Sequence, residues 1–220
     1  MKRILLWLPM LFFMSCSKPA SYVLEITTFK TKPATNASAF HKLDGEVEAR
    51  FTSKQPGFMK RQSAVTEEGE YVVLVYWNSM EEAEASMNKF MSDESVAGYA
   101  SMIDGATMSM SRYRVREKFD AEKSSFIEVM SFETKAAIEQ SAFRKINKKV
   151  GQQVTAPKEG FAQRITGVND TGRQVVVVYW DNKTNSDAAL QPFMEHELSK
   201  KFMEMMDQSS IRFGRYETLN

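Results

Sequence analysis

Six side chains occur as two sets of three at matching positions, and they are the strongest candidates in this sequence for contacting a small molecule. The sets are Trp77, Tyr76 and Arg61, and Trp180, Tyr179 and Arg164. Tryptophan rings can wall a dry pocket, while tyrosine hydroxyls and guanidinium groups can donate hydrogen bonds to an oxygen that gains negative charge. This combination suits oxygenation of an electron-rich substrate without a metal or a flavin. Aromatic residues on strands also serve as core anchors, so both interpretations stay open and no catalytic residue is assigned.

Two glutamate–arginine combinations form a second candidate group. Glu25 and Arg112 lie at positions that correspond to Glu128 and Arg215. If the first and last strands of each copy are neighbours, each glutamate lies across from an arginine. Burial of such a pair costs desolvation energy, and many ion pairs have a purely structural role. We expect two structural ion pairs that fix strand register, with the gating of a polar pocket as the alternative.

Metal-binding residue types are present but poorly arranged. The segment "FMEMMD" contains Met203 and Met205, and clustered thioethers can bind Cu(I), although methionine also fills irregular gaps in a core. His41 and His196 have no cysteine beside them, so no zinc pattern is present. The sequence contains no glycine-rich phosphate-binding motif. We therefore expect no metal site and no bound cofactor.

The elements that must position these residues are encoded twice. "VVLVYWNS" begins at residue 72 and "VVVVYWDN" at residue 175, and an offset of 103 aligns residues 21–117 with 124–220 without a gap. An internal repeat of this length indicates two copies of one supersecondary unit. We predict a first repeat at 21–113, a linker at 114–123 and a second repeat at 124–220.

Within each copy the hydrophobic periods predict the order β-α-β-β-α-β. "YVLEITTF" has the composition of a strand, and Phe40, Leu43 and Val47 recur at helical spacing. The turns "TEEG" and "NDTG" precede the valine-rich strands, with glycine at the position of positive φ. A single second helix is expected to have its apolar face formed by Phe90, Met91, Tyr99, Met102 and Ile103.

This element order describes the ferredoxin-like unit, whose sheet carries its helices on one face. "VVLVYW" is apolar at every position, so both faces of this strand are apolar and it should be buried on both sides. Two units can cover each other's free sheet faces and close their edges. The predicted fold is therefore α+β, with two ferredoxin-like repeats that form an intrachain pseudo-dimeric barrel.

Two such units in one barrel resemble the dimeric α+β barrel superfamily. The segment "YWNSMEEAEA", in which a strand ends in tryptophan before an acidic helix start, resembles the antibiotic-biosynthesis-monooxygenase family. The resemblance covers nearly all of residues 21–220 and implies that Trp77 and Trp180 match that family's strand-three tryptophan. It implies cofactor-independent oxygenation of aromatic substrates, haem degradation, or no known activity.

The residues disagree with the haem-degrading branch of that family. That branch uses an asparagine on the first strand and a histidine on the second helix. Here Glu25 and Glu128 lie in the first strands, and Tyr99 and Phe202 lie near the histidine position. These departures from the family pattern argue against haem degradation.

The first residues have the pattern of an export signal. Lys2 and Arg3 precede an apolar stretch from Ile4 to Met14. This stretch is too short to span a bilayer as a helix, which needs ~20 residues. "FMSC" resembles a bacterial lipobox, so we predict a signal peptide at 1–15, lipidation at Cys16, with palmitate among its acyl chains, and a tether at 16–20. Ser17 favours the outer membrane of a bacterial envelope. The alternative is an ordinary signal peptide with an incidental cysteine.

Charge and composition limit the remaining functions. The chain has 29 basic and 28 acidic residues, so it lacks the basic surface expected for nucleic-acid binding. We expect an envelope lipoprotein, monomeric with an internal pseudo-two-fold axis, that binds a small apolar or aromatic ligand or a protein partner. The alternative is a cofactor-independent monooxygenase that acts on an aromatic or quinol-type substrate.

Overall fold

The structure, a computed structural model, describes residues 21–117, 119–120 and 124–219. The predicted signal peptide, Cys16 and the tether lie outside these residues. The elements of the first half are β1 (Tyr22–Thr31), α1 (Ala37–Arg50), β2 (Phe58–Val65), β3 (Glu70–Trp77), α2 (Met80–Phe90), α3 (Glu94–Met102) and β4 (Ile103–Val115). Those of the second half are β5 (Phe126–Phe132), α4 (Gln140–Val150), a π-helix (Gly151–Thr155), β6 (Phe161–Val168), β7 (Gln174–Trp180), α5 (Lys183–Glu195), α6 (Glu197–Glu204) and β8 (Arg212–Thr218).

The eight strands form a closed antiparallel barrel in the order β1-β3-β2-β8-β5-β7-β6-β4. Two short joints close it: Ala64 pairs with Thr218 where β2 meets β8, and Val115 pairs with Gly167 where β4 meets β6. The residues paired at one joint correspond to those paired at the other by the offset of 103 positions. The fold is thus mixed α+β, and each described strand of its barrel is paired with a neighbouring strand on both sides.

One hydrophobic cluster fills the barrel interior, because its residues come from all eight strands. Strand β3 is buried along seven of its eight residues, and β7 along all seven. The prediction that "VVLVYW" is buried on both sides is therefore confirmed. Helices α1, α2 and α3 cover the outer face of the first half, while α4, α5 and α6 cover that of the second, each over its own cluster.

The hairpins that precede β3 and β7 use the predicted glycines. Gly69 has φ +78° and Gly172 has φ +88°, a left-handed conformation that glycine adopts without steric cost. Asn169 strengthens the second turn, where its side chain accepts hydrogen bonds from the backbone of Thr171 and Arg173. These turns set the strand register that places Tyr-Trp at the end of each strand.

The prediction of a single second helix per half is wrong. Helix α2 ends at Phe90, and Asp93 caps the start of α3 by accepting a hydrogen bond from the backbone N–H of Ser95. At the corresponding position His196 caps α6 through Nδ1, which accepts from Leu198. As a result Met91, which was expected in the apolar face, is 75% exposed. Among the described residues, no helix is long and apolar enough to cross a membrane.

The segment expected to be a linker contributes to the barrel at both of its described parts. Arg114 and Val115 extend β4 and pair with β6, because a barrel strand must reach its neighbour to satisfy backbone groups. Phe119 packs against the interior cluster, and its ring lies 5.1 Å from the rings of both Tyr76 and Tyr179. The connection therefore covers one end of the core.

Candidate functional site

The two glutamate–arginine combinations lie on paired strands, Glu25 opposite Arg112 and Glu128 opposite Arg215. Arg112 Nε donates to Glu25 Oε2 at 2.6 Å, and Arg215 Nε donates to Glu128 Oε1 at 3.3 Å. Burial raises the pKa of Glu25 although Arg112 opposes the shift. In the second half Ser186 Oγ also donates to Glu128 Oε1, at 2.5 Å, so this carboxylate is held by two donors.

Tyr76 and Tyr179 lie inside the barrel, away from the helices. Their hydroxyl oxygens are 2.7 Å apart, and burial raises the pKa of both. Because successive side chains of a strand point to opposite faces, the adjacent tryptophans lie on the outer face, beneath the helices. The structure therefore separates the two tyrosines from both tryptophans.

Trp77 and Trp180 are buried in two separate clusters, one per half. Each packs edge-on against the first residue of the neighbouring strand: Phe58 at 6.0 Å and Phe161 at 6.1 Å between ring centroids. Among the described residues neither indole Nε1 has a hydrogen-bond partner. The two tryptophans therefore cannot share one pocket, and a site walled by a tryptophan belongs to one half.

Arg61 is part of a neutralised buried network in the first half. Its Nη2 donates to Asp44 Oδ1 at 2.5 Å, and its Nη1 donates to Asp44 Oδ2 at 3.3 Å. Burial disfavours the charged form of Arg61. Asp44 nevertheless holds the pKa of Arg61 above its ordinary value, with a smaller contribution from Glu48. Tyr99 adjoins this pair, and burial beside Asp44 raises the pKa of its hydroxyl. In this network the guanidinium already has a carboxylate partner.

Arg164 occupies the corresponding position in the second half without a carboxylate partner. Its Nη2 donates to Asn147 Oδ1 at 2.5 Å, and its guanidinium lies 6.0 Å from the centre of the Phe202 ring. Burial lowers its pKa to about 10, against the weaker opposing influence of Glu117. That carboxylate accepts hydrogen bonds from Thr166 instead. Arg164 is therefore still cationic at neutral pH but is held by neutral groups.

A cavity of about 250 Å³ lies beside Arg164, between the outer face of the second-half sheet and its helices. Its apolar wall includes Val154, Val178, Trp180, Phe193, Phe202 and Met206. Its polar groups are Glu128, Thr155, Lys158, Arg164 and Ser186. Of the candidate site residues singled out from the sequence, the cavity brings together Trp180, Arg164, Glu128 and Met203. It does not include Trp77, Tyr76, Tyr179 or Arg61.

Local differences between the copies explain why the second half has this space. Phe51 corresponds to Val154, and in the first half the Phe51 ring packs edge-on against Phe90, with 5.3 Å between centroids. The smaller Val154 leaves the equivalent phenylalanine, Phe193, facing the cavity. Val154 lies in the π-helix, and π-turns are frequent at functional sites. Sequence inspection did not assign Val154, Phe202 or Asn147 to a site, although aligning the two copies shows that each differs from its counterpart.

The donor atoms at the cavity do not match a haem or zinc site. His41 Nε2 is 3.1 Å from the Tyr71 hydroxyl and His196 caps a helix, so neither reaches the cavity. The described residues of its wall include methionines but no histidine, cysteine or tyrosine, which are the other usual axial ligands of haem iron. Within the described residues, no three His, Cys, Asp or Glu side chains are grouped so as to hold a metal ion.

Comparisons with known proteins bear on the fold. No family model matches the chain, and no curated protein matches it by sequence. Among solved structures, an anthrone oxidase-like protein has a TM-score of 0.67 at 12% identity, covering 90% of this chain and 92% of its own. A candidate monooxygenase from Fusobacterium nucleatum has a TM-score of 0.67 at 11% identity, covering 91% and 94%.

A variant of the chlorite dismutase from Candidatus Nitrospira defluvii has a TM-score of 0.61 at 8% identity, covering 92% of this chain and 93% of its own. At such low identity these likenesses concern the fold and not the chemistry. The chain has the fold of a monooxygenase-like α+β barrel.

Proposed function

We propose that this protein binds a small apolar or aromatic ligand in the cavity of its second half. The observation that supports this function is an apolar cavity with a few polar groups, beside a tryptophan and an arginine. A cavity of about 150 Å³ holds benzene in another protein. A cavity of about 250 Å³ therefore suits a bicyclic ring system or a short branched chain.

The site favours binding over catalysis because no free base lies at the cavity. Glu128 is the only carboxylate on the described wall, and Arg215 and Ser186 both donate to it. The tyrosines that the sequence suggested as donors are inside the barrel and bonded to each other. A protein partner is the other occupant suggested by the sequence, and binding of a small probe within the cavity distinguishes the two.

The test uses 1-naphthalenemethanol as a neutral bicyclic probe, followed by calorimetry and by tryptophan fluorescence. We expect one molecule to bind per chain. Val154→Phe gives the second half the residue found at position 51 of the first and should abolish binding while the protein stays folded. Val168→Phe makes the same change at a position that is 38% exposed and outside the cavity, and it should bind normally. Equal binding by both variants would contradict the proposal.

A second candidate function is cofactor-independent oxygenation of an aromatic or quinol-type substrate. It is favoured by the likeness to an anthrone oxidase-like protein and to a candidate monooxygenase. In this case Glu128 is the base that deprotonates the substrate, and Trp180 is a wall of the pocket. Oxygen uptake with anthrones and quinols should then be lost in Glu128→Gln and reduced in Trp180→Phe, but kept in Trp77→Phe. No uptake across the panel rejects this function.

The chain is also proposed to be a fused pair of ferredoxin-like repeats, residues 21–113 and 124–220, that acts as a monomer. Support comes from the strand orders β2-β3-β1-β4 and β6-β7-β5-β8, and from two joints related by the same offset of 103. Each half then forms the four strands that one chain would form in a barrel made of two separate chains. Sedimentation analysis should give the mass of one chain.

Export and lipidation are part of the proposal and rest on the sequence alone. Cys16 follows an apolar stretch, and we assign it as the acylated residue of a lipoprotein of the bacterial outer membrane. The barrel then binds its ligand at the surface of the envelope membrane.

A further inference from the structure

The charge at the cavity differs from the charge at the corresponding place in the first half. Two carboxylates, Asp44 and Glu48, favour the charged form of Arg61. Their counterparts at the same offset are Asn147 and Gly151, which carry no charge. Arg164 has thus kept its guanidinium while both neighbouring carboxylates have been replaced.

No charged group of the described cavity wall bonds to Arg164, and Glu117, which weakly favours its charged form, accepts hydrogen bonds from Thr166 instead. Glu128 is bonded to Arg215, which also forms an ion pair with Asp187 at 2.6 Å. Lys158 adds a second cation to the wall. The described part of the cavity therefore has a net positive character, within a lining that is mainly apolar.

A guanidinium that is withdrawn from water without an anion is unfavourable. Removing one partner of a buried ion pair costs much more than the pair contributes, because the remaining charge is uncompensated. Here the uncompensated group lines an empty space large enough for a molecule. An anionic group of a bound ligand would restore the balance that Asp44 provides in the first half.

Building on the ligand site proposed above, we propose that the cavity binds an amphiphilic monocarboxylate, whose carboxylate pairs with Arg164 and whose apolar body lies against Trp180 and Phe193. The first half provides the pattern, since Arg61 holds both oxygens of the Asp44 carboxylate. A guanidinium matches the planar geometry of a carboxylate with two parallel hydrogen bonds. The apolar wall disfavours ligands with several charges, because their remaining charges would lose hydration.

Two further differences from the first half lie beside the Arg164 guanidinium. Gly151 approaches Arg164 so closely that a β-carbon there would lie 3.2 Å from Nη1. A larger side chain at this position would press on the guanidinium from the side of the π-helix. Phe202 replaces the hydroxyl-bearing Tyr99, so the guanidinium meets an aromatic ring in place of a hydroxyl.

The experiment compares two probes with one ring system, 1-naphthoate and neutral 1-naphthalenemethanol, by calorimetry at pH 7. A hydrogen-bonded charge pair contributes about 1.5–3 kcal/mol, so the wild-type protein should prefer 1-naphthoate by about tenfold or more. Asn147→Asp gives Arg164 the partner that Arg61 has. We expect it to lose this preference while it binds 1-naphthalenemethanol as the wild type does.

Two further variants control for charge and for folding. Asn169→Asp adds the same charge in the β6–β7 turn, away from the cavity, and should keep the preference. Arg164→Met removes the cation without adding an anion, so it should also lose the preference for 1-naphthoate, because an unpaired carboxylate loses hydration in the cavity. The circular dichroism of each variant is compared with that of the wild type.

The outcomes separate the two proposals. Equal wild-type affinity for both probes, or an unchanged preference in Asn147→Asp and Arg164→Met, overturns the carboxylate assignment and leaves the cavity as a neutral site. Failure of both probes to bind, or binding that Val154→Phe does not affect, overturns the ligand-binding function itself.

Discussion

The hydroxyl oxygens of Tyr76 and Tyr179 lie 2.7 Å apart inside the barrel, although the two residues are 103 positions apart. They occupy the same position in the two halves, so this bond joins the halves at equivalent points. Both side chains are fully buried, and each hydroxyl depends on the other for its hydrogen bond. Phe119 of the connection covers both rings.

Removing one hydroxyl of this pair should cost more than removing both. Tyr76→Phe or Tyr179→Phe leaves a buried hydroxyl without its partner, which costs about 1–3 kcal/mol of unfolding free energy. The double variant replaces both groups by apolar ones of similar shape and should lose less than the sum. Urea unfolding of the wild type and the three variants measures the coupling. Additive losses would show that the bond does not contribute.

The buried ion pair of the first half should be sensitive to loss of its carboxylate. Asp44→Asn leaves Arg61 buried without an anion and should cost about 3–5 kcal/mol. Asp170→Asn is the control, because its ion pair with Arg114 is exposed and such pairs are worth about 0–1 kcal/mol. Urea unfolding compares them. Equal small losses would mean that Arg61 is more hydrated than its 7% side-chain exposure indicates.

Phe51→Val should open in the first half the space that Val154 leaves in the second. Loss of a buried phenylalanine ring is expected to lower the free energy of unfolding by about 2–4 kcal/mol, through lost transfer energy and cavity formation. Saturating 1-naphthalenemethanol should restore part of this loss if the probe enters the new space. Thermal unfolding with and without the probe measures both effects. A variant as stable as the wild type would show that the neighbouring side chains collapse into the space.

Glu25 should make stability depend on pH in a definite direction. Burial raises its pKa in the folded protein above the ordinary value of 4.5, so the folded state holds this proton more tightly than the unfolded chain. The stability that protonated Glu25 contributes to the folded protein is therefore fully present below pH 4.5. It is lost as the pH rises through the raised pKa of Glu25 in the folded protein. The stability of Glu25→Gln relative to the wild type should then increase from acid to neutral pH.

Urea unfolding of both proteins between pH 4 and 8 measures this difference. Binding of 1-naphthalenemethanol should not change in Glu25→Gln, because Glu25 lies in the half without the cavity. A relative stability that decreases towards neutral pH would show that Arg112 outweighs the effect of burial.

Cys16→Ser should release the protein from the membrane if Cys16 carries the lipid anchor. Acylation adds about 0.8 kcal/mol of membrane affinity per buried CH₂ group, and serine cannot form the thioether. In a bacterial expression host, palmitate labelling and fractionation should find the wild type labelled and in the outer membrane, and the variant unlabelled. Labelling of Cys16→Ser, or wild-type protein without label, would reject lipidation at this residue.

The element order could be predicted from the sequence because the signals for it are local. The helical spacing of Phe40 and Val47 and the glycines of the turns, Gly69 and Gly172, depend on neighbouring residues only. The repeat at an offset of 103 positions shows the same local signals a second time. The register that pairs Glu25 with Arg112 follows once the first and last strands of a half are adjacent. The prediction of a single second helix was wrong because α2 ends at Phe90 and a local cap at Asp93 starts a separate helix.

The sequence by itself determined that two similar units, each with an apolar central strand, must cover each other's sheets. Only the tertiary structure decided that Tyr76 and Tyr179 meet inside the barrel, whereas Trp180 and Arg164 line a space beneath the second-half helices. The physical reason is that a cavity is the volume left by side chains that are distant in sequence. A few substitutions, among them Phe51 to Val154 and Asp44 to Asn147, opened this space and changed its charge without altering the pattern that specifies the fold.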